Sequence, residues 1–449
     1  MKKTALVLLL LLSLLLTGCN DYAPFVRLEK RIMAQLVGID YHNGIYTITI
    51  QFPLGTGVDT GGSSNDLKVV SGSGANLFYA AELARASLGK KIFYSHNQVL
   101  FLGSELIEKG NPTEAIEQYL IYCEDYPKPH IAGVHGTAEG LLALTYKDEY
   151  SAENKLKLIL ENAAGTGVVP TLAVYEALMS AYNTSASFVI PMIREEEKSE
   201  NQQSESVKEA QEADKDETKS GEEPSDPKLT ISDTAVIIGG AFSHYTDTIE
   251  SRGLSYFKNM AGVVSVNFFM PHDDKPLDSG AFDDAGHHHH EHNPERNDNS
   301  SEYQYNYGFG QSKHNAEVQI SSLHDTHGDI YSIQMFRAKV KVKPLVSGDN
   351  ITFRISFRAV VDKSHNRVLG GAYGLNRACN VELKNRTESA VEDTLARAVT
   401  GVTSKGGDVF MLEEALKHHH LKKWKEVEED WREVLKSVQF VYDVKVKFI

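Results

Sequence analysis

Residues 33–52, MAQLVGIDYHNGIYTITIQF, carry the clearest structural signal in the chain. Residues 33–40 form an apolar run that is typical of a buried strand, and residues 45–52 alternate side chains with period two. Between these runs, Asn43-Gly44 favours the positive backbone angles of a tight turn. The stretch therefore predicts an antiparallel hairpin.

Helix and strand patterns alternate on the C-terminal side of this hairpin. Apolar residues recur at helical spacing in residues 75–88, and Gly89 suits the end of that helix. Further helices are predicted at 104–110, 111–124, 137–144, 152–163 and 171–181, and short strands at 67–70, 99–102, 130–135 and 187–193.

The C-terminal half of the chain shows the same mixture. Strands are predicted at 235–240, 262–270, 316–321, 330–342, 351–361 and 438–448, and helices at 247–260, 387–403, 409–418 and 424–434. Gly348-Asp349-Asn350 supplies a turn between two of the longer strands. The pattern predicts an α+β fold, with several consecutive mixed α/β domains in which antiparallel hairpins pack against helices.

The N-terminus has the features of a lipoprotein signal. Two lysines precede an apolar run over residues 5–16, which is shorter than the roughly 20 residues of a spanning helix. Leu16-Thr17-Gly18-Cys19 then places small residues before a cysteine. We expect residues 1–18 to be removed and Cys19 to be lipidated, which anchors the mature chain on the extracytoplasmic face of a membrane.

Charge and cysteine content restrict the remaining possibilities. The net charge of −15 argues against a nucleic-acid partner. With Cys19 lipidated, two of the three cysteines remain, Cys123 and Cys379. They form either one disulfide or two buried thiols, and the sequence leaves both alternatives open.

Two polar segments divide the chain. Residues 194–228 contain 13 acidic and six basic residues and almost nothing apolar, which predicts a disordered linker. Residues 271–313 predict a polar loop insertion that contains a histidine-rich tract. The predicted organisation is a signal peptide at 1–18, an N-terminal α+β region at 19–193, the linker, and a C-terminal α+β region at 229–449.

The sequence predicts that this protein is not an enzyme. It lacks a nucleophile elbow, a phosphate-binding loop and a zinc-protease motif, so no catalytic residue, cofactor or metal ligand is assigned. The tract from His287 to His292 could bind a transition metal, but a solvated loop is the simpler interpretation. We interpret His418-His419-His420 as the end of a helix, where positive charge on the histidines complements the helix dipole.

Two further groups of residues are interpreted as structural rather than catalytic. The neighbours Ser95 and His96 suggest a nucleophile and its base, but adjacent side chains on an extended chain point to opposite faces. Trp424 and Trp431 are seven residues apart and are predicted to share one face of a helix in the core.

Several segments, in their order and separation, resemble one known family. They are Leu36-Val37-Gly38-Ile39-Asp40, Lys91-Ile92-Phe93-Tyr94-Ser95-His96, Val99-Leu100-Phe101-Leu102-Gly103-Ser104-Glu105, Gly406-Gly407-Asp408, Trp424, Trp431 and Val441-Tyr442-Asp443-Val444-Lys445-Val446. Together with the lipoprotein signal, they resemble the Ger(x)C lipoproteins, the C subunits of spore germinant receptors.

The resemblance implies consecutive α+β domains without an enzyme active site. It also implies an extracytoplasmic subunit beside two integral membrane subunits, A-type and B-type, in the spore inner membrane, where the complex couples nutrient detection to ion release. The alternative is a substrate-binding lipoprotein of a transporter. Such proteins usually have two similar lobes of parallel strand–helix repeats, whereas this sequence predicts hairpins and an acidic break.

Overall fold

The computed structural model describes residues 31–53, 67–122, 129–144, 152–195, 228–258, 262–271, 328–362 and 377–449. The predictions for residues 1–18, Cys19, Cys123, most of 194–228, His287 to His292 and 316–321 lie outside these ranges. The same is true of the Cys379 side chain, although its backbone is helical.

The described strands form three sheets. The strands are β1 (Arg31–Met33), β2 (Leu36–His42), β3 (Ile45–Pro53), β4 (Leu67–Gly74), β5 (Lys91–Phe93), β6 (Val99–Gly103), β7 (His130–Val134), β8 (Phe188–Glu195), β9 (Leu229–Ile238), β10 (Ala241–Tyr245), β11 (Val264–Pro271), β12 (Gly328–Ser347), β13 (Asn350–Val361) and β14 (Gln439–Phe448). Eight strands form one sheet in the order β10-β9-β8-β7-β6-β2-β3-β4, four form a second in the order β11-β12-β13-β14, and β1 pairs with β5.

The predicted N-terminal hairpin is confirmed. β2 and β3 pair antiparallel, from Leu36 opposite Gln51 to His42 opposite Ile45. Asn43 and Gly44 have φ angles of 48° and 85°, as a two-residue turn between twisted strands requires. The fold class predicted from the sequence, α+β, is confirmed as well, since mixed sheets pack against helices throughout the described residues.

The centre of the eight-stranded sheet is parallel, which the sequence analysis did not predict. β6 pairs parallel with both β2 and β7, and β7 pairs parallel with β8. β6 is buried along its whole length, as is typical of a parallel strand covered on both faces. Its alternate residues enter different cores, with Leu100 and Leu102 in one and Val99 and Phe101 in the other.

Helices cover both faces of this sheet. One face packs against α1 (Leu77–Leu88), α2 (Ser104–Lys109), α3 (Pro112–Tyr122) and α6 (Val174–Ala181), and the other against α4 (Ala138–Ala143) and α5 (Ala152–Gly165). The predicted end of α1 is confirmed, because Gly89 is in the left-handed conformation and caps the helix.

The second sheet packs against the C-terminal helices. These are α8 (Arg377–Thr403), α9 (Leu412–His419), α10 (Leu421–Val427) and α11 (Trp431–Ser437), joined by α7 (Thr248–Lys258) from the middle of the chain. β12 and β13 form the predicted hairpin, with Gly348 at a φ of 59° in the turn. β14 then pairs parallel with β13.

Two predicted helices differ from those observed. The long helix begins at Arg377 rather than near residue 387. The helix predicted over 424–434 is wrong: the chain forms α10 and α11, with a break after Val427. In one continuous helix the two tryptophans would lie about 10 Å apart along the axis. The break brings their ring centroids to 5.3 Å, and both rings are buried, so the predicted core role is confirmed.

The eight-stranded sheet contains strands from both sides of the predicted linker. β8 ends at Glu195 and pairs antiparallel with β9, which begins at Leu229. Val236 and Ile238 of β9 belong to the core of the second sheet, together with Val189 of β8. The predicted domain boundaries remain untested as such, but this shared sheet argues against two independently folding halves.

Cleavage within residues 196–227 is therefore expected to leave the two fragments associated. A specific protease site placed there, with the uncut protein as control, gives two bands on a denaturing gel. We expect a single native species on size-exclusion chromatography, because the β8–β9 ladder and the cores that it joins survive the cut. Elution of two separate folded fragments would contradict this expectation.

Candidate functional site

A buried carboxylate lies where the two sheets meet. Asp408 follows the glycine pair after α8, and its side chain faces the start of α9. Its Oδ1 accepts hydrogen bonds from the Phe410 and Leu412 amides at 3.1 and 3.0 Å, and Oδ2 accepts one from the Glu413 amide at 2.8 Å. Burial raises the pKa of Asp408 to about 6, although the three amide hydrogen bonds act in the opposite direction.

The first turn of α9 holds a loop that belongs to the first sheet. The Glu413 carboxylate accepts from the Thr184 amide at 3.0 Å and from the Thr184 hydroxyl at 2.8 Å. Glu414 accepts from the Asn183 amide group at 3.0 Å. Lys417 pairs with Glu413 on its other side. These contacts join the turn after α6 to α9, and we call residues 183–185 with Asp408, Glu413 and Glu414 the junction.

The glycines before Asp408 are required by close packing. Gly406 has a φ of 77°, and a Cβ there would lie 2.8 Å from the Arg432 carbonyl oxygen. A Cβ on Gly407 would lie 2.7 Å from side-chain atoms of both Ile238 and Val402. Glycine at 406 lets the chain approach the backbone of α11, and glycine at 407 lets it pack closely against side chains of β9 and α8. The Gly-Gly-Asp segment therefore serves the junction.

A half-buried carboxylate has a similar role in the first sheet. Asp40, at the end of the motif in β2, accepts hydrogen bonds from the amides of Ala138 and Glu139 at 2.8 and 2.9 Å. It thereby stabilises the start of α4, and burial raises its pKa. A Cβ on Gly103 would collide with this carboxylate, which explains a glycine at the end of β6.

A polar cluster lies at the carboxyl ends of β7 and β8. Asp233 Oδ2 is 2.7 Å from His135 Nε2 and accepts a hydrogen bond from Arg194 at 3.2 Å. The His135 and Tyr245 rings are 5.0 Å apart, and the Tyr245 hydroxyl donates to Glu108 at 2.7 Å. A cavity of about 160 Å³ adjoins His135 and Arg194. The charged groups bind one another and join β7, β8 and β9.

The residues that suggested a nucleophile and its base lie in a turn rather than on an extended chain. The Asn97 amide donates to the Tyr94 carbonyl oxygen at 2.8 Å, and Ser95 and His96 are exposed between them. The Asn97 side chain is buried and donates to the Tyr119 hydroxyl at 2.7 Å. This segment therefore attaches β5 and its turn to α3.

The triplet His418-His419-His420 lies at the end of α9, where the predicted helix end is confirmed. Among the described residues, no group of three or more His, Cys, Asp or Glu side chains has the geometry to hold a metal ion. Nor does any helix in the described ranges have the length and hydrophobicity that crossing a bilayer requires.

Sequence reasoning missed the partners in the junction and in the polar cluster. Asp408 before a helix is a recognisable capping signal, but Asn183 and Glu414 are 231 positions apart. Likewise, His135 and Asp233 are 98 positions apart. No local pattern connects such residues, since the sheet order alone makes them neighbours.

Two family models match this chain. One, described as the spore germination protein N-terminal domain, matches residues 25–195, and the other, described as spore germination B3/GerAC like, C-terminal, matches residues 304–449. Together they cover more than half of the chain and define it as a spore germination protein. The chain belongs to the GerAC-like family. It is a germinant receptor C subunit, as the sequence resemblance implied.

One solved structure aligns with most of this chain. The crystal structure described as that of the GerBC protein aligns with 92% of this chain and 96% of its own, at 14% identity and a TM-score of 0.47. Comparison with curated proteins found no match. None of these comparisons favours the transporter alternative.

Proposed function

We propose that this chain is a lipid-anchored, non-catalytic receptor subunit. In this proposal Cys19 carries the lipid, residues 1–18 are the signal, and the mature chain lies on the outer face of the spore inner membrane beside an A-type and a B-type integral membrane subunit. The observation that carries the proposal is the order of the N-terminal features. The Leu16-Thr17-Gly18-Cys19 sequence stands directly before the first family match, which begins at residue 25.

The contacts of the buried and half-buried carboxylates support a non-catalytic role. Asp408 and Asp40 accept hydrogen bonds from backbone amides at the starts of helices, and Glu413 accepts hydrogen bonds from a neighbouring loop. A catalytic acid or base needs a free position beside a substrate. These side chains instead stabilise helix ends and contacts between elements, as expected of a protein that acts through its surface.

The domain division belongs to the same proposal. In it, the α+β regions at 19–193 and 229–449 are separated by the acidic linker predicted at 194–228, and 271–313 is an inserted loop; the first two residues of the predicted linker, Arg194 and Glu195, belong to β8. The acidic composition of the linker supports its disorder. Neither segment is expected to be needed for assembly, because the elements that flank them are joined by strand pairing in the described sheets.

The anchor is tested by replacing Cys19 with alanine. We expect the variant, expressed without its partner subunits, to leave the membrane fraction in a high-salt wash, because acyl chains contribute about 0.8 kcal/mol for each buried methylene and the variant has none. Replacing Ser13 with alanine is the control, since it leaves Leu16-Thr17-Gly18-Cys19 intact. Retention of the Cys19→Ala protein in the washed membrane would show that the anchor assignment is wrong.

Germination of spores tests the receptor role in the same strains. Spores without this chain should fail to respond to one class of nutrient and still germinate through other receptors. Spores with the Cys19→Ala protein should respond more weakly than those with Ser13→Ala. A normal response of the null strain to every nutrient, in the absence of a second copy of the gene, would refute the proposed role.

A further inference from the structure

Three neighbouring helices on the first sheet carry exposed apolar side chains. α3 lies between α1 and α6, and each helix buries one face in the shared core. On the opposite side, Ile121 of α3 is 70% exposed, and Met179 of α6 and Tyr182, which directly follows α6, are each 67% exposed. Phe78 and Tyr79 of α1 are exposed as well. We call the outer surface of these helices the three-helix face.

The spacing makes these residues a surface rather than scattered positions. Tyr175, Met179 and Tyr182 lie four and three residues apart, so they form one stripe on α6. On α1, the Phe78 ring packs 6.0 Å from Tyr122 at the end of α3, where Ile121 is the next outward residue. Exposed apolar residues grouped on neighbouring helices in this way are typical of interaction sites.

Hydrogen bonds hold the seam between α1 and α3 in place. The Leu77 amide donates to the Gln118 side chain at 3.0 Å, and the Tyr122 hydroxyl donates to Glu82 at 3.2 Å. Burial and the neighbouring Glu82 carboxylate raise the pKa of Tyr122 to about 12, so this hydroxyl keeps its proton. A surface that is already ordered loses less entropy on binding.

The charges around the face restrict its partner. α1, α3 and α6 carry four glutamates, Glu82, Glu114, Glu117 and Glu176, and one arginine, Arg85. The three helices together carry a net charge of −3, which disfavours an anionic lipid surface and a second copy of the same face, although the exposed Lys90 and Lys91 follow α1. Tyr, Phe and Met are enriched where proteins bind proteins. The complement is a protein surface with an apolar centre and basic residues around it.

The chain enters the fold beside this face. β1 pairs with β5 in the register Arg31–Lys91, immediately after α1. Tyr94, which follows β5, has its ring 5.5 Å from that of Tyr122. Arg31 is twelve positions after Cys19, and an extended chain spans about 40 Å over twelve positions. A lipid at Cys19 therefore keeps Arg31, in the strand pair that follows α1, within about 40 Å of the membrane surface.

We infer that the three-helix face docks onto an extracytoplasmic segment of a membrane-embedded receptor subunit. The apolar side chains of Ile121, Met179 and Tyr182 form the centre of the contact, and the four glutamates meet basic residues on the partner. This inference rests on the proposed assembly with membrane subunits and adds the surface of this chain that makes it.

The test is co-purification of the full-length, tagged chain with its membrane subunits in mild detergent. The variant combines Ile121→Asp with Met179→Asp. The matched control combines Leu158→Asp with Leu421→Asp, whose parent side chains are 45% and 56% exposed on α5 and α10. We expect the amount of membrane subunit that co-purifies with the variant to fall at least about tenfold, and the amount that co-purifies with the control to equal that of the wild type. Thermal unfolding midpoints equal to that of the wild type would show that the variant and the control are both folded.

A charge variant keeps the inference testable if the aspartates disturb folding. Glu117→Lys leaves the apolar centre intact and reverses one charge of the rim, whereas Glu176 is kept because its carboxylate accepts from the Ala173 amide at the start of α6. We expect it to lower recovery at low salt and to reduce the dependence of recovery on ionic strength. Recovery equal to the wild type in both variants would overturn the inference.

The other occupants give distinct outcomes. If the wild type recovers no membrane subunit, the proposed assembly is wrong; if wild type and variants recover it equally, only the docking surface is wrong. The mature chain with Cys19→Ser should not bind vesicles of phosphatidylethanolamine and phosphatidylglycerol. Vesicle binding that the Ile121→Asp, Met179→Asp variant loses would assign the face to lipid, and a dimer lost in that variant would assign it to a second copy. Either result overturns the inference.

Discussion

Replacing Trp431 with alanine is expected to lower the free energy of unfolding by about 4 kcal/mol. The side chain is completely buried and is the largest of the fully buried side chains among the described residues. Its ring contacts that of Trp424 edge-on, with centroids 5.3 Å apart. The loss combines the burial of the ring with the cavity that remains, because α10, α11 and the second sheet cannot all close the space.

Chemical unfolding of the mature chain measures this loss. If the two sheets unfold in separate transitions, the free energy of each transition is determined separately. Leu421→Ala is the control, since Leu421 lies at the start of α10 but is 56% exposed, and we expect a change below about 0.5 kcal/mol. A Trp431→Ala protein that unfolds at the same denaturant concentration as this control would show that the tryptophan pair does not hold the C-terminal helices.

Replacing Asp408 with alanine is expected to lower the free energy of unfolding by about 2–3 kcal/mol. The change leaves three amide groups at the start of α9 without their acceptor in a buried environment. α9 also presents Glu413 to Thr184, so we expect the junction to loosen with it. Hydrogen exchange at the Thr184 amide reports this second effect directly.

Asp430→Ala is the matched control for the Asp408 variant. Asp430 stands before α11, but its side chain makes no capping hydrogen bond there and is exposed. We expect its replacement to change the free energy of unfolding by less than about 0.5 kcal/mol. Equal losses in the Asp408 and Asp430 variants would show that the buried cap contributes nothing specific.

The pH dependence of stability follows from the same carboxyl group. Its pKa of about 6 in the folded chain lies above the ordinary value of 3.8, so the folded state takes up the proton first. The stabilisation is complete below pH 3.8 and is lost as the pH rises through about 6. Relative to Asp408→Asn, which does not titrate, the wild type should therefore gain stability as the pH falls from 7 to 5.

Local sequence was sufficient for the elements whose cause is local. The alternation in residues 45–52 and the Asn43-Gly44 turn predicted the hairpin, because side-chain period and backbone angle are properties of neighbouring residues. The helix end at Gly89 and the hairpin turn at Gly348 were predicted for the same reason. The order of motifs also indicated the family that the two family matches show.

The parallel centre of the first sheet required the tertiary structure. Short buried runs such as Val99–Gly103 have no polar face, so their pattern does not say which strand will be the neighbour or in which direction it runs. The break between α10 and α11 arises in the same way. A helical pattern continues through residues 428–430, but the packing of the two tryptophan rings favours two short helices.

By itself, the sequence determined the α+β class, the hairpins and the family, since each depends on residues close together in the chain or on the order of motifs. Only the tertiary structure decided that β9 and β10 complete the first sheet, that Thr184 meets Glu413, and that α1, α3 and α6 present one apolar face. These contacts join positions far apart in sequence. They form because sheet order and helix packing bury both apolar cores together, which no local pattern encodes.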